Sequence, residues 1–191
     1  MAALYPVFLK LDGLSVVVVG GGAVAASKLD GLVTAGAKLT VVAPVIDPAI
    51  RAHAVTIIER EFIASDLVGA YWVVAAATPE VNRVVAAAAS ARGLFVNAVD
   101  DKDSATAYLG GVVRRGAVAI AISTGGLAPA LAGLLREALD TMLPQDLERW
   151  IAVAIATRAE WKAGQVPIGE RRPLLLRALD ELYASRLGAP T

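Results

Sequence analysis

Cysteine is absent from this 191-residue sequence, and histidine occurs once, as His53. The first absence removes disulfides, thiolate metal sites and cysteine nucleophiles in one step, and is compatible with a reducing compartment. An excess of either charge is missing as well: Lys and Arg total 18, Asp and Glu total 18, and the balance holds on both sides of a cut after Gly125. Nothing global therefore points to nucleic acid or to an anionic membrane as a partner. Long apolar runs are lacking too. The 57% hydrophobic content comes largely from Ala and Val, and charge, Gly or Pro interrupts every run before membrane-spanning length. The opening Met1-Ala2-Ala3-Leu4-Tyr5-Pro6 has neither the basic start nor the apolar core of a secretory signal, so a cytoplasmic protein is expected. A chain of this size and hydropathy closes one good core with a smaller appendage.

What is present is a strand and helix rhythm. Residues 15–19 form a β-branched run ending at three glycines, as in a strand buried on both faces of a parallel sheet. Helical spacing follows over residues 23–35, Gly36 stands at the stop, and residues 38–42 read as a second strand. This is the size of a βαβ unit. Strands over 54–59, 71–76 and 94–97 and a helix over 79–92 continue the alternation, which means a doubly wound α/β sheet of Rossmann-like type. Residues 108–113 and 117–123 read as two short strands around Arg114-Arg115-Gly116. Beyond Gly126, residues 127–143, 145–162 and 173–187 are helically periodic, with breaks at Pro144 and at 164–167. The last residues, 188–191, are expected to fray.

Gly20-Gly21-Gly22-Ala23-Val24-Ala25 matches G-x-G-x-x-A at the first strand-helix junction, the context the dinucleotide fingerprint requires. Gly20 permits the tight turn, Gly22 lets the backbone approach a pyrophosphate, and Ala25 is small enough for close helix-sheet packing. A glycine turn serving only strand-to-helix geometry is the competing reading. A P-loop fails, because Ser27 precedes Lys28 where Gly is required and Leu29 follows where Ser or Thr is required. The second strand runs into Ala43-Pro44-Val45 without the acid that normally binds the adenosine ribose, which leaves main chain or Asp47 for that contact. No arginine stands in the same turn to pair a 2′-phosphate, so NAD is favoured over NADP.

Candidates for chemistry are few. No tyrosine has a lysine four residues later, there is no G-x-S-x-G, and Asp101-Lys102-Asp103 lacks the Gly and Glu of an EF-hand loop, so no metal site is expected. His53 falls between the second and third strands, at the edge away from the glycine turn. Asn97-Ala98-Val99-Asp100-Asp101 leaves the carboxyl end of the fifth strand, where ligands bind in open sheets. Asp100 is the candidate acid or base, beside Val99 and a bound cofactor; a solvated acidic loop is the alternative. Ser123-Thr124-Gly125-Gly126 ahead of Pro129 offers hydroxyls and N–H groups that hold a carboxylate or cap the next helix.

Taken in order, these motifs resemble the precorrin-2 dehydrogenase family, which includes the amino-terminal part of siroheme synthase and the sirohydrochlorin ferrochelatases. The resemblance runs from Tyr5 to about Pro144. It rests on Pro6-Val7-Phe8-Leu9, Val18 to Gly22 with Val24, Ala25 and Lys28, Val41-Val42-Ala43-Pro44, Ala76-Ala77-Thr78 with Asn82, Val96 to Asp100, and Ile122 to Gly126 with Pro129 and Leu134-Leu135-Arg136. It implies NAD-dependent dehydrogenation of precorrin-2 to sirohydrochlorin on the way to siroheme, with Asp100 assisting proton removal. The implied cofactor set is Gly20, Gly21, Gly22, Ala23, Val24, Ala25, Pro44, Val45, Thr78 and Asn97. It implies a homodimer, with a nucleotide-binding domain over 1–110, a dimerisation region over 111–145 and a helical domain over 146–191. A tetrapyrrole bearing many carboxylates needs cations, and Arg114 and Arg136 are the expected partners beside Ser123, Thr124 and Gly125, with Arg115, Arg171 and Arg172 also available. Ala107 and Gly110 depart from the pattern, where the family usually has an aromatic and then a proline. Some relatives also insert iron into the product, a step that needs no histidine if a carboxylate coordinates transiently, so the resemblance leaves a second, ferrochelatase activity open. The rivals are a regulatory NAD-sensing dimer and a structural dimer that has lost its cofactor.

Overall fold

Four consecutive valines after Ser15 are stiff at χ1 and apolar on both sides, so the chain starts its sheet in the middle. The computed structural model describes residues 4–187. In it, strand β1 (Ser15–Val19) pairs in parallel with β2 (Lys38–Val42) on one side and with β4 (Trp72–Ala75) on the other. β3 (Thr56–Ile58) and β5 (Val96–Ala98) complete the edges, giving the order β3-β2-β1-β4-β5. The chain leaves β1 toward β2 and leaves β4 toward β5, so the winding reverses between β1 and β4. That is the switch point at which doubly wound sheets bind ligands.

The alternation of β1 separates two cores. Val16 and Val18 pack with Ala25, Leu29 and Leu32 of α1 (Ala23–Thr34) on one face. Val17 and Val19 pack with Val85, Ala86 and Ala89 of α3 (Pro79–Ser90) on the other. The expected βα units are thus present, with ends displaced by at most two residues. Two short elements were not expected: helix α2 (Pro48–Arg51), capped when Ala49 N–H donates to Asp47 Oδ1 at 2.8 Å, and a 3-10 turn (Ala64–Leu67). The 3-10 turn is pinned by Asp66, whose carboxylate accepts from Arg60 Nη1 (2.8 Å) and Ile63 N–H (2.9 Å).

The chain divides into two compact units, Met1–Leu109 with Gly125–Ala128, and Gly110–Thr124 with Pro129–Thr191. In the second unit β6 (Gly111–Arg115) and β7 (Val118–Ile122) form an antiparallel hairpin. Arg114 and Arg115 belong to the strand rather than the turn, which shrinks to Gly116-Ala117 with Gly116 at φ +55°. The departure at Gly110 has a steric reason: a Cβ there would stand 2.0 Å from the Ile122 carbonyl oxygen. α4 (Pro129–Met142) starts two residues later than expected, on a proline, after Gly125 and Gly126 at φ +62° and +71°. Arg115 Nη2 ties β6 to α4 through the carbonyl and carboxylate of Asp140, each at 3.0 Å. α5 (Leu147–Ala163) and α6 (Ile168–Leu187) pack through an edge-on pair, Trp150 and Tyr183, with the indole N–H donating to the phenol oxygen. α6 begins at Ile168, five residues before the expected start, and carries Pro173 inside it. The expectation of fraying over 188–191 lies outside the described residues. Among the described residues no helix is long and apolar enough to cross a membrane.

Candidate functional site

The glycine turn is built by steric exclusion at its first two positions and by openness at its third. Gly20 has φ +128°, and a Cβ there would lie 2.2 Å from the Ala76 carbonyl oxygen at the end of β4. A Cβ on Gly21 would lie 1.9 Å from the Val45 carbonyl oxygen and 2.9 Å from Ala43 Cβ. The two neighbouring strand ends therefore close on the turn from either side, and Asp47 N–H donates to the Gly21 carbonyl at 2.7 Å. Gly22 is different, because nothing lies within 4 Å of the position its Cβ would take. Its backbone, at φ −94° and ψ −173°, is ordinary extended chain, so the glycine there answers to space outside the protein and not to strain.

Gly22 is the N-cap of α1, and no side chain caps that helix. Its first turn, Ala23, Val24 and Ala25, holds no acidic residue, so the positive end of the helix dipole is uncompensated. Ala25 is fully buried against the sheet, the close helix packing its size permits. Pro44 and the exposed Val45 follow β2 on one flank of the turn. Thr78 follows β4 on the other and caps α3, its hydroxyl accepting from Val81 N–H at a long 3.5 Å. An open backbone at Gly22, a helix end without a side-chain cap and small residues beneath it fit the diphosphate of a dinucleotide. The Asp47 carboxylate, offered above as a ribose contact, caps α2 with one oxygen.

Asp100 leaves β5 at the same carboxyl edge, in a turn closed by Asp101 N–H donating to the Ala98 carbonyl at 3.4 Å. It occupies the third turn position at φ +59°, a conformation that ordinarily selects glycine and that aspartate tolerates. Its side chain is exposed and makes no hydrogen bond or ion pair among the described residues. The adjacent Asp101 is occupied differently: the hydroxyl and N–H of Ser104 hold its carboxyl below the usual carboxylate range, with Ser104 N–H at 3.1 Å from Oδ1. The two neighbouring carboxylates thus divide into one that stabilises its own loop and one that is presented to solvent. Asn97 is buried, and its Nδ2 donates to the Ala107 carbonyl at 3.0 Å, which anchors the far end of the same loop. The Gly125-Gly126 turn lies on this loop, since a Cβ on Gly126 would be 3.3 Å from the Tyr108 ring.

The first unit therefore brings together Gly20, Gly21, Gly22, Ala23, Val24, Ala25, Pro44, Val45, Thr78, Asn97 and Asp100 along one sheet edge, and holds Gly125 on the Asp100 loop. Ser123, Thr124, Arg114 and Arg136 belong to the second unit. There Arg114 is exposed on β6, and Arg136 on α4 lies beside Gly111, donating to Glu137 Oε1 at 3.2 Å. His53 sits at the opposite edge, before β3, with Nε2 3.7 Å from Asp30. One residue absent from the expected site is Asn82, 2% exposed on α3 and hydrogen-bonded to both neighbouring loops. A polar residue in phase with the apolar stripe Val85, Ala86 and Ala89 was the available signal. Among the described residues no group of three or more His, Asp or Glu side chains is placed to hold a metal.

Comparison with known proteins follows these two parts. A model of an NAD(P)-binding family matches residues 7–111, and one described as sirohaem biosynthesis protein central matches residues 115–142. Siroheme synthase 1 of Aeromonas salmonicida is 42% identical over 189 residues, covering 96% of this chain and 40% of that protein. Siroheme synthase 3 of Aeromonas hydrophila is 41% identical over the same length, with the same coverage. The chain thus spans about two-fifths of the length of these curated relatives. A solved structure of SirC, precorrin-2 dehydrogenase, superposes with a TM-score of 0.71 over 94% of this chain and 92% of that one, at 24% identity, and shares the fold. With more than half of its length matched by one model, and with the glycine turn and its strand inside that match, the chain belongs to this NAD(P)-binding family.

Proposed function

We propose that the protein is an NAD-dependent dehydrogenase that converts precorrin-2 to sirohydrochlorin in siroheme biosynthesis, acting in the cytoplasm as a homodimer. The observation that carries the reading is the pairing, at one sheet edge, of an open backbone at Gly22 with a carboxylate at Asp100 raised in a left-handed turn. A protein that only sensed the coenzyme needs the first and has no use for the second. The substrate class comes from the siroheme synthases, which match almost the whole chain at about 40% identity.

Gly20, Gly21 and Gly22 with the first turn of α1 hold the diphosphate, and Pro44, Val45, Thr78 and Asn97 line the edge along which the rest of the coenzyme lies. No arginine follows β2 in that turn, and the nearby Arg51 and Arg60 are each paired, with Glu59 and Asp66, so a 2′-phosphate finds no partner there and NAD is preferred. The bound coenzyme supplies a hydride acceptor. Asp100 accepts the proton that leaves the macrocycle as its carbon-carbon bond becomes double, so that hydride and proton together account for the two hydrogens lost. Ser123, Thr124 and Gly125 with Arg114 and Arg136 receive the carboxylates of the substrate.

The second unit supports the dimer. Among its described residues only Val113, Ala132 and Leu147 are buried apolar side chains, while Leu131, Leu134, Leu135, Met142 and Ile155 are exposed. A unit this poor in core gains stability when a second copy covers its apolar faces, which fits 111–145 as the dimerisation region and 146–191 as a helical domain.

The test is anaerobic incubation with precorrin-2 and NAD, following NADH and the sirohydrochlorin spectrum, with Asp100→Asn alongside. Asparagine keeps the shape and tolerates the left-handed turn, so its effect reports the carboxylate. We expect turnover in the wild type and a loss of about 100-fold or more in kcat for the variant. Coenzyme binding without turnover in the wild type would leave the sensing module standing instead.

A further inference from the structure

The carbonyl that precedes Asp100 is held from outside its own loop. Asn82, on the first turn of α3, accepts a hydrogen bond from Ala77 N–H at Oδ1 (2.9 Å) and donates from Nδ2 to the Val99 carbonyl (3.2 Å). The amide orientation follows from chemistry, because Ala77 offers a donor and Val99 an acceptor. Asn82 is 2% exposed, and its own N–H is taken by the Thr78 carbonyl at 2.8 Å. Both side-chain bonds therefore reach backbone in the two loops that leave β4 and β5. The β4 loop is the one that presses on the glycine turn, since the missing Cβ of Gly20 would fall 2.2 Å from Ala76 O and 3.0 Å from Ala77 N. A continuous line of contacts thus runs from Gly20 to Ala77, to Asn82, to Val99 and into the strained turn at Asp100.

We infer that Asn82 is a positioning residue, which fixes the Val99-Asp100 turn relative to the glycine loop and thereby sets where the Asp100 carboxylate meets the substrate. The inference rests on the dehydrogenase reading for its kinetic consequence and on geometry alone for its structural one. A turn that places a non-glycine residue at φ +59° persists only when its surroundings over-determine it. Ala98 and Asp101 close the turn with a bond of 3.4 Å, which is weak; Val99 is held by its N–H on the Ala75 carbonyl (2.9 Å) and by its carbonyl on Asn82, the side chain that restrains the face turned toward Asp100.

Asn82→Ala removes both bonds; Asn82→Asp is isosteric, keeps the acceptor for Ala77 and turns a carboxylate oxygen toward the Val99 carbonyl. The expected result for each is a kcat lower by about 100-fold, the cost of a displacement near 1 Å at a reacting group, with the NAD dissociation constant within about threefold of wild type. A crystal structure of either variant with NAD is expected to show Asp100 out of the left-handed region. Turnover of both variants at the wild-type rate overturns the inference, and so does a fall in kcat matched by an equal loss of NAD affinity, which a merely structural residue would give. If Asn82→Ala does not fold, Asn82→Asp carries the same readings. If the wild type itself shows no turnover with precorrin-2, the proposed function fails, and the variant crystal structure decides on Asn82 independently: Asp100 unchanged at φ near +59° overturns it.

Discussion

Gly22→Asp separates folding from coenzyme binding because the two demands on that position have opposite signs. The backbone is extended there and nothing lies within 4 Å of the new Cβ, so the side chain enters without a clash. As the N-cap of α1, an aspartate can accept N–H groups that no side chain caps now, which favours it over glycine by a few tenths of a kcal/mol. Replacing glycine at a compatible φ also removes freedom from the unfolded chain, about 0.4–1 kcal/mol. Together these predict an apo protein about 1 kcal/mol more stable, a rise in Tm of roughly 2–4 °C for a chain of this size. The same carboxylate stands where the diphosphate lies. At about 4 Å and an effective dielectric near 20, each charge pair costs about 4 kcal/mol, equivalent to roughly a thousandfold in affinity.

The two effects make the melting curves cross. At a hundredfold excess of NAD over its dissociation constant the wild type gains about 2.7 kcal/mol, or roughly 5–10 °C, while the variant gains nothing. The variant is therefore the more stable protein without coenzyme and the less stable one with it. Scanning calorimetry with and without NAD, paired with titration calorimetry, reads both halves. A fall in the apo Tm by several degrees would show that Gly22 is not the open position described, and an unchanged affinity would show that the diphosphate lies elsewhere.

Gly21→Ala gives the contrasting result. Its Cβ would meet the Val45 carbonyl oxygen at 1.9 Å, so backbone must move and the apo protein loses about 1–3 kcal/mol or more, seen as a lower Tm before any ligand is added; an unchanged Tm refutes the close approach. The Asp66 carboxyl is held below the usual carboxylate range by the Arg60 guanidinium, with the Ile63 N–H adding to this and burial opposing it. A depressed folded value means that the stabilisation is complete above the unfolded value near 3.8 and is lost as pH falls through the lower folded value. Asp66→Asn should then lower stability at pH 7 and leave a smaller difference from wild type below pH ~3; parallel denaturation curves at both pH values would count against it.

Most of the first unit was legible because its signals are local. The valine run, the glycine turn and the small residues of α1 each announce themselves within a few positions, and every strand of the five-stranded sheet was expected within three residues of where it lies. The place of Gly22 at the start of α1 was legible for the same reason, since it depends on the helix that follows it. Gly21 was only a member of the motif, because the atom that requires it to be glycine belongs to Val45, across the first crossover. Asp47 shows the same limit. A carboxylate after β2 suggested a ribose contact, and the cap it forms with one oxygen shows only with the short α2, too brief to carry a periodic signal.

The second unit was less legible because its constraints come from backbone more than from side-chain pattern. Arg114-Arg115-Gly116 looked like a turn by composition, yet hairpin geometry needs a left-handed residue only at Gly116, and the arginines extend the strand instead. Helical periodicity was expected from Pro173, a residue at home in a helix's first turn. The helix nevertheless begins at Ile168, and Arg171 Nε donates to the Val166 carbonyl at 3.0 Å, tying the early turn to the chain before it. The candidate site repeats this division. Asp100 could be named from its place after a strand, whereas Asn82 bonds the carbonyl of the preceding Val99, 17 residues along the chain. In a doubly wound sheet the residues that face a ligand follow strand ends and can be found by reading along the chain. Those that hold the loops to one another lie inside helices, and there their polarity, out of place on an apolar face, is the mark to look for.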